Sequence, residues 1–106
     1  MDIEKFSKQV ADTYRQNPSE RRRVVYTHAS NAERDTHGQV SFLKAANVAD
    51  RSITAYEGYR ANRLNHEASR DLAAKDIRDR FDRNANDLQK PPPAERTRAR
   101  SQSAGL

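Results

Sequence analysis

The chain has 106 residues, 34% hydrophobic and 33% charged, with a net charge of +5 and no cysteine. That length holds one small domain, and the absence of cysteine excludes disulfides, thiol nucleophiles and cysteine-ligated zinc. Leu, Ile, Val and Phe total sixteen, a share below the roughly 20% at which disorder competes with folding, whereas the abundant alanine favours helix while adding little burial.

Ile3, Phe6, Val10 and Tyr14 recur at helical spacing and predict a short amphipathic helix ending near Asn17, with Lys5, Lys8, Asp12 and Arg15 on its polar face. Asn17-Pro18-Ser19-Glu20 reads as the next N-terminus: Asn at the cap, Pro at the first helical position, Glu three after the cap. The second helix is predicted from about Pro18 to Arg34. Its apolar face is poor, with Val24, Val25, His28, Ala29 and Ala32 as candidates, so it must lean on other elements. His37-Gly38 is its expected stop, Gly taking positive φ at no steric cost.

From Gln39 to Leu88 there is no proline and a single glycine, Gly58. The stripe Phe42, Ala46, Ala49, Ile53, Tyr56 follows a coiled-coil-like alternation whose next members are Arg60 and Arg63. Ala45, Ala46 and Ala49 would admit a second helix closely. Beyond Asn62 the apolar residues re-phase into Leu64, Ala68, Leu72 and then Ile77, Phe81, Ala85, Leu88, about 140° further round the helix. Either the stretch breaks near Asn62–Asn65 or one long helix is covered from two sides. Charges at Arg63/Glu67, Asp71/Lys75, Asp76/Arg80 and Asp79/Arg83 suit i,i+4 pairs on a solvated face. From Lys90 onward, three prolines and then Arg, Ser, Gln and Gly predict a disordered tail. The expected fold is therefore all-α, with three to four helices in a domain over 1–89 and a tail over 90–106. Too little large apolar surface is available for the helices to cover themselves, and completion against a second copy or another protein is expected.

No segment resembles a signal peptide or approaches the roughly twenty apolar residues of a membrane span, so a soluble, cytoplasmic protein without a membrane partner is expected. The pI near 9.9 is concentrated in the tail: Lys90, Arg96, Arg98 and Arg100 against Glu95 leave only +2 for the rest of the chain. Arg21-Arg22-Arg23 is the densest cationic cluster, suited to phosphate or an acidic surface. His28, His37 and His66 have no second ligand at metal-binding spacing; Arg70 stands where a His66-Glu67 zinc motif would need histidine, so no metal is expected.

Tyr56 and Tyr59 flank Glu57-Gly58, a glycine that would allow close contact with another chain. The segment Ser52-Ile53-Thr54-Ala55-Tyr56-Glu57-Gly58 resembles in part the inhibitory helix of antitoxins that block Fic-type nucleotidyl transferases. That motif has Ser or Thr four residues before Glu-Gly, where this chain has Ile53, and the chain is not assigned to the family on it. With dispersed carboxylates and no glycine-rich loop, no catalytic pocket, cofactor or small-molecule substrate is expected. The leading expectation is a helical accessory protein, toxin-neutralising, chaperone-like or inhibitory. It would dock a protein partner through Phe42, Ala46, Ala49, Ile53, Tyr56 and Tyr59, with Arg60 and Arg63 at the edge. The alternatives are nucleic-acid binding through Arg21, Arg22, Arg23, Arg96, Arg98 and Arg100, or a structural subunit of a phage or secretion assembly.

Overall fold

The computed structural model describes residues 1–89, with side chains described to residue 81. Four helices follow one another: α1 (Ile3–Gln16), α2 (Arg21–Asp35, preceded by a 3-10 turn over Pro18–Glu20), α3 (Phe42–Ala61) and α4 (His66–Gln89). The fold is all-α, and the long stretch breaks at residues 62–65. The tail expected over 90–106, with Arg96, Arg98 and Arg100, lies outside the described residues.

Short polar side chains start three helices. Asp2 accepts from the Lys5 N–H at 3.0 Å, Ser41 from the Lys44 N–H at 3.1 Å and Asn65 from the Ala68 N–H at 2.8 Å, each contributing about 1 kcal/mol. Asn17 departs from expectation. Its backbone N–H donates to the Tyr14 carbonyl at 2.9 Å and its amide to the Thr13 carbonyl at 3.1 Å, so it closes α1 instead of capping α2. The predicted first turn of α2 is therefore a separate 3-10 turn, and the α-helix begins at Arg21.

Both α2 and α3 end in Schellman motifs. Gly38 N–H donates to Glu33 O at 2.8 Å and His37 N–H to Arg34 O at 3.1 Å; Leu64 N–H donates to Tyr59 O at 3.2 Å and Arg63 N–H to Arg60 O at 2.9 Å. The left-handed residue of each motif is His37 (φ +54°) and Arg63 (φ +71°), with Gly38 at +82° following the first. Arg63 is thus part of a turn and does not extend the α3 stripe.

The helices alternate in direction around the bundle. Arg78–Glu4 at 2.7 Å, Lys8–Asp71 at 4.0 Å and Arg70–Asp12 at 3.3 Å run α1 antiparallel to α4. Contacts of Arg21 with Glu57 and of Tyr26 with Phe42 run α2 antiparallel to α3. α1 meets α3 across the short diagonal, where the Tyr14 and Tyr56 rings stand edge-on with centroids 6.3 Å apart, and α2 and α4 do not touch among the described residues.

The core draws on all four helices: Phe6, Val10 and Tyr14; Val24, Val25 and Ala29; Ala45, Val48, Ala49, Ile53 and Tyr56; Ala73, Ala74, Ile77 and Phe81. Between these lie three fully buried serines, one each from α1, α3 and α4. Ser52 donates to Val48 O at 2.7 Å and Ser69 to Leu64 O at 3.3 Å, while the Ser7 hydroxyl has no partner among the described residues. Small side chains let backbones approach, and dense packing then supplies the dispersion contacts that long aliphatics would otherwise give. In this way the chain covers its own core, contrary to the expectation that it could not.

The inward row of α4 is Ser69, Ala73, Ile77 and Phe81, at four-residue spacing. Leu64 sits in the turn and Leu72 is 38% exposed, so the predicted first ridge is not a buried face. The side chains of Ala85 and Leu88 lie outside the described residues, as does Arg83. The other expected i,i+4 pairs are replaced by Arg70–Asp71 at 2.9 Å and Arg78–Asp79 at 3.0 Å together with the pairs to α1. All are partly exposed and weak individually.

Gly58 lies in the interior of α3, exposed, and an added Cβ there meets nothing within 4 Å. Gly58→Ala is therefore expected to stabilise the chain by about 1 kcal/mol through helix propensity alone, measured as a higher urea midpoint at unchanged slope. A lower midpoint would mean that the space over Gly58 is occupied.

Candidate interaction site

Ala49 and Ile53 are fully enclosed and Tyr56 is 4% exposed, so the centre of the predicted partner-binding stripe faces the bundle interior. The ends of the stripe, Phe42 and Tyr59, remain accessible, about 25 Å apart at 1.5 Å per residue. At one end Phe42 and Ala46 are half-buried. At the other, the half-buried Tyr59 donates its phenol to Asp76, which raises its pKa, and Arg60 donates to Leu64 O at 3.0 Å, closing the turn in which Arg63 sits.

The arginine cluster divides in three directions, as residues 100° apart on a helix must. Arg21 reaches α3. Its Nε and Nη2 donate to Asp50 Oδ1 at 3.1 and 2.9 Å, Nη2 also to Asp50 O at 3.1 Å and Thr54 Oγ1 at 2.7 Å, and Nη1 to Glu57 Oε1 at 3.2 Å. Arg23 pairs with Glu20 at 2.7 Å. Only Arg22 is exposed without an ion pair among the described residues. These three do not converge on one phosphate-sized site.

The accessible apolar surface lies instead between α2 and α3. Tyr26 is 51% exposed and Leu43 79%; the Tyr26 ring leans on Phe42 with centroids 5.6 Å apart. A hollow beside them is lined by Val25, Ala46, Asn47, Asp50, Arg21 and Arg22. A second hollow, on the other side of the Arg22–Tyr26 ridge, is lined by Ser19, Glu20, Arg23 and Thr27. Tyr26 and Leu43 fall outside every apolar stripe in the sequence, so periodicity gives no reason to select them. Being out of phase is the one signal that marks them: an apolar residue one position off a buried seam faces water.

A polar row crosses the opposite end of the bundle. His66 stands 2.8 Å from Asp12 through Nε2 and 2.9 Å from the Tyr56 hydroxyl through Nδ1. A carboxylate can only accept, so in the neutral ring Nε2 carries the proton and Nδ1 accepts from Tyr56. Tyr14 donates to Glu57, which with burial raises the Tyr14 pKa, and Glu57 is also held by Arg21. Asp-His-Tyr has the ingredients of a proton relay, but Tyr56 is enclosed and the His66 side chain is only 12% exposed. The row ties α1, α3 and α4 together. The segment Ser52–Gly58 that resembles the Fic-antitoxin helix is part of this interior arrangement, with Ile53 enclosed and Glu57 bonded within the chain.

His28 packs edge-on against Phe6, centroids 6.1 Å apart, with Nε2 2.9 Å from Thr13 Oγ1, and burial lowers its pKa from the usual imidazole value. The folded chain then binds fewer protons at this residue than the unfolded one. Its contribution is present above about pH 6.5 and is lost as pH falls below that. The melting temperature should drop between about pH 7.5 and pH 5.5, and His28→Gln should shrink that drop; an equal drop in the variant would assign the effect to other groups.

Among the described residues no three His, Asp or Glu side chains gather as a metal site, and no helix is long and apolar enough to cross a membrane. Compared with protein-family models, with curated proteins and with solved structures, the chain gives no significant match.

Proposed function

We propose that this chain is a small helical accessory protein that binds a protein partner through the α2–α3 face centred on Tyr26, Phe42, Leu43 and Ala46. A toxin-neutralising, chaperone-like or inhibitory adaptor works in this way. The observation that carries the reading is the exposure of Tyr26, at 51%, whose ring meets Phe42, and of Leu43, at 79%, the residue that follows Phe42 on α3. A contiguous apolar patch over a hollow is the usual mark of an interaction site, whereas isolated exposed apolar residues are ordinary. Of the contacts expected from the sequence, Phe42 and Ala46 stay in this proposal. Ala49, Ile53 and Tyr56 leave it, since reaching them requires opening the bundle. Nucleic-acid binding has less support, because two of the three clustered arginines are engaged within the chain.

The test is site-specific photo-crosslinking in the native host, with a benzophenone side chain at position 43 and, as control, at the exposed position 75 on α4. Position 43 should capture one defined protein that position 75 does not. No capture, or the same products from both positions, would refute the reading.

A further inference from the structure

Asn47 and Asp50 wall the α2–α3 hollow and also a more polar one of about 410 Å³, in which α3 faces α4. Its lining brings two guanidiniums together, Arg51 from α3 and Arg80 from α4. Both are exposed and without an ion pair among the described residues. The two carboxylates of the lining are engaged with other groups: Asp50 is bound twice by Arg21, and Asp76 accepts from Tyr59. Arg51 uses only Nε, which donates to Asn47 Oδ1 at 3.2 Å. Its terminal nitrogens and the Asn47 amide nitrogen have no partner among the described residues. Thr54 Oγ1 accepts from Arg21 at 2.7 Å, which leaves the hydroxyl proton free to be donated. The hollow therefore gathers unanswered donors and two like charges, from opposite walls, that repel unless an anion lies between them.

We infer that the α3–α4 hollow is a binding site for a small phosphate ester, its phosphate held between Arg51 and Arg80 and a hydroxyl or amine of the ester donating to Asp76. Guanidinium forks match phosphate oxygens bidentately, and the volume lies in the range of roughly 300–1,000 Å³ usual for small-ligand pockets. Asp76 decides between a bare anion and an ester. Its carboxylate keeps lone pairs beyond the bond from Tyr59, so an ester that carries a donor turns this negative charge into a contact, whereas inorganic phosphate meets it as repulsion. A nucleic acid would need a row of cations to neutralise successive phosphates, and Arg51 and Arg80 converge on one hollow instead. Neither guanidinium lines the α2–α3 hollow, so this site stands whether or not a protein docks there.

The experiment uses the full chain, isotopically labelled, titrated at constant ionic strength with glycerol phosphate, inorganic phosphate and glycerol. Glycerol phosphate should give saturable amide shifts at Asn47, Arg51, Thr54 and Arg80, with a Kd of about 1 mM. Inorganic phosphate should bind the same residues about tenfold more weakly, and glycerol should shift none of them. R51Q and R80Q, changes at exposed residues that leave the fold intact, should each weaken glycerol phosphate about tenfold, while R22Q, on the other side of α3, should leave it unchanged. D76N removes the repulsion, and should tighten inorganic phosphate and narrow its gap to the ester. Shifts that grow without saturating, that persist undiminished in R51Q and R80Q, or that centre on Arg22 and Tyr26 would each overturn the site. Inorganic phosphate binding as tightly as glycerol phosphate would overturn the ester. A uridine oligonucleotide held through Arg51 and Arg80 more tightly than glycerol phosphate would overturn the small ligand.

Discussion

Ile53→Ala is expected to destabilise the isolated chain by about 3 kcal/mol. Ile53 is fully enclosed in α3 and is the largest side chain so completely buried. Its truncation removes transfer free energy and leaves a cavity in a core shared by all four helices, which they cannot easily close. Against a total stability on the order of 5–15 kcal/mol for a domain, such a loss puts the variant near unfolding at moderate temperature. It would be read as a fall in urea midpoint with the slope unchanged. Leu43→Ala, at the second residue of the same helix and exposed, should change the midpoint little. If Ile53→Ala left the isolated chain as stable as before and impaired only partner binding, α3 would be facing outward and the packing described here would be wrong.

Enlarging a small core residue should be nearly as damaging. Ala49→Leu introduces three carbons where α3 lies close to its neighbours, beside Ala45 and Ser52, and is expected to cost about 2–3 kcal/mol through strain and backbone shift. Ala46→Leu is the matched control. Ala46 is half-buried on the wall of the α2–α3 hollow, so the added volume extends toward solvent, stability should stay within about 0.5 kcal/mol, and partner binding should fall as the hollow fills. Differential unfolding of the two variants, alongside crosslinking from position 43 in the second, separates the core from the proposed docking face. Equal stability of both would show that the seam is not closely packed.

Helix content and the seam from Phe42 to Tyr56 are legible in the sequence because they depend on local chemistry, no proline and plentiful alanine, whereas the re-phased stripe leaves a break near residue 62 and one unbroken helix as equal alternatives. The destination of the seam is not legible. Its counterpart on α4 is Ser69, Ala73 and Ala74, residues that carry little hydrophobic weight yet pack tightly, so counting large apolar side chains understated the core. A similar blindness hides His66, whose partner Asp12 is 54 residues away and follows no local spacing. The arginine triplet looks like one site in a linear reading and becomes three separate environments once 100° of helix turn separates its members. Tyr26 and Leu43, on which the docking proposal rests, belong to no apolar stripe, and their being out of phase with the buried seams is the one sequence signal that marks them.

That the bundle covers its own core is tested most directly by the thermal unfolding midpoint of the isolated chain. The midpoint would be followed across roughly a hundredfold range of concentration, with the mass checked by sedimentation. A constant midpoint and a mass of 12.1 kDa are expected. A midpoint that climbs with concentration, accompanied by a heavier species, would mean that α3 completes its burial against a second chain and would contradict the account.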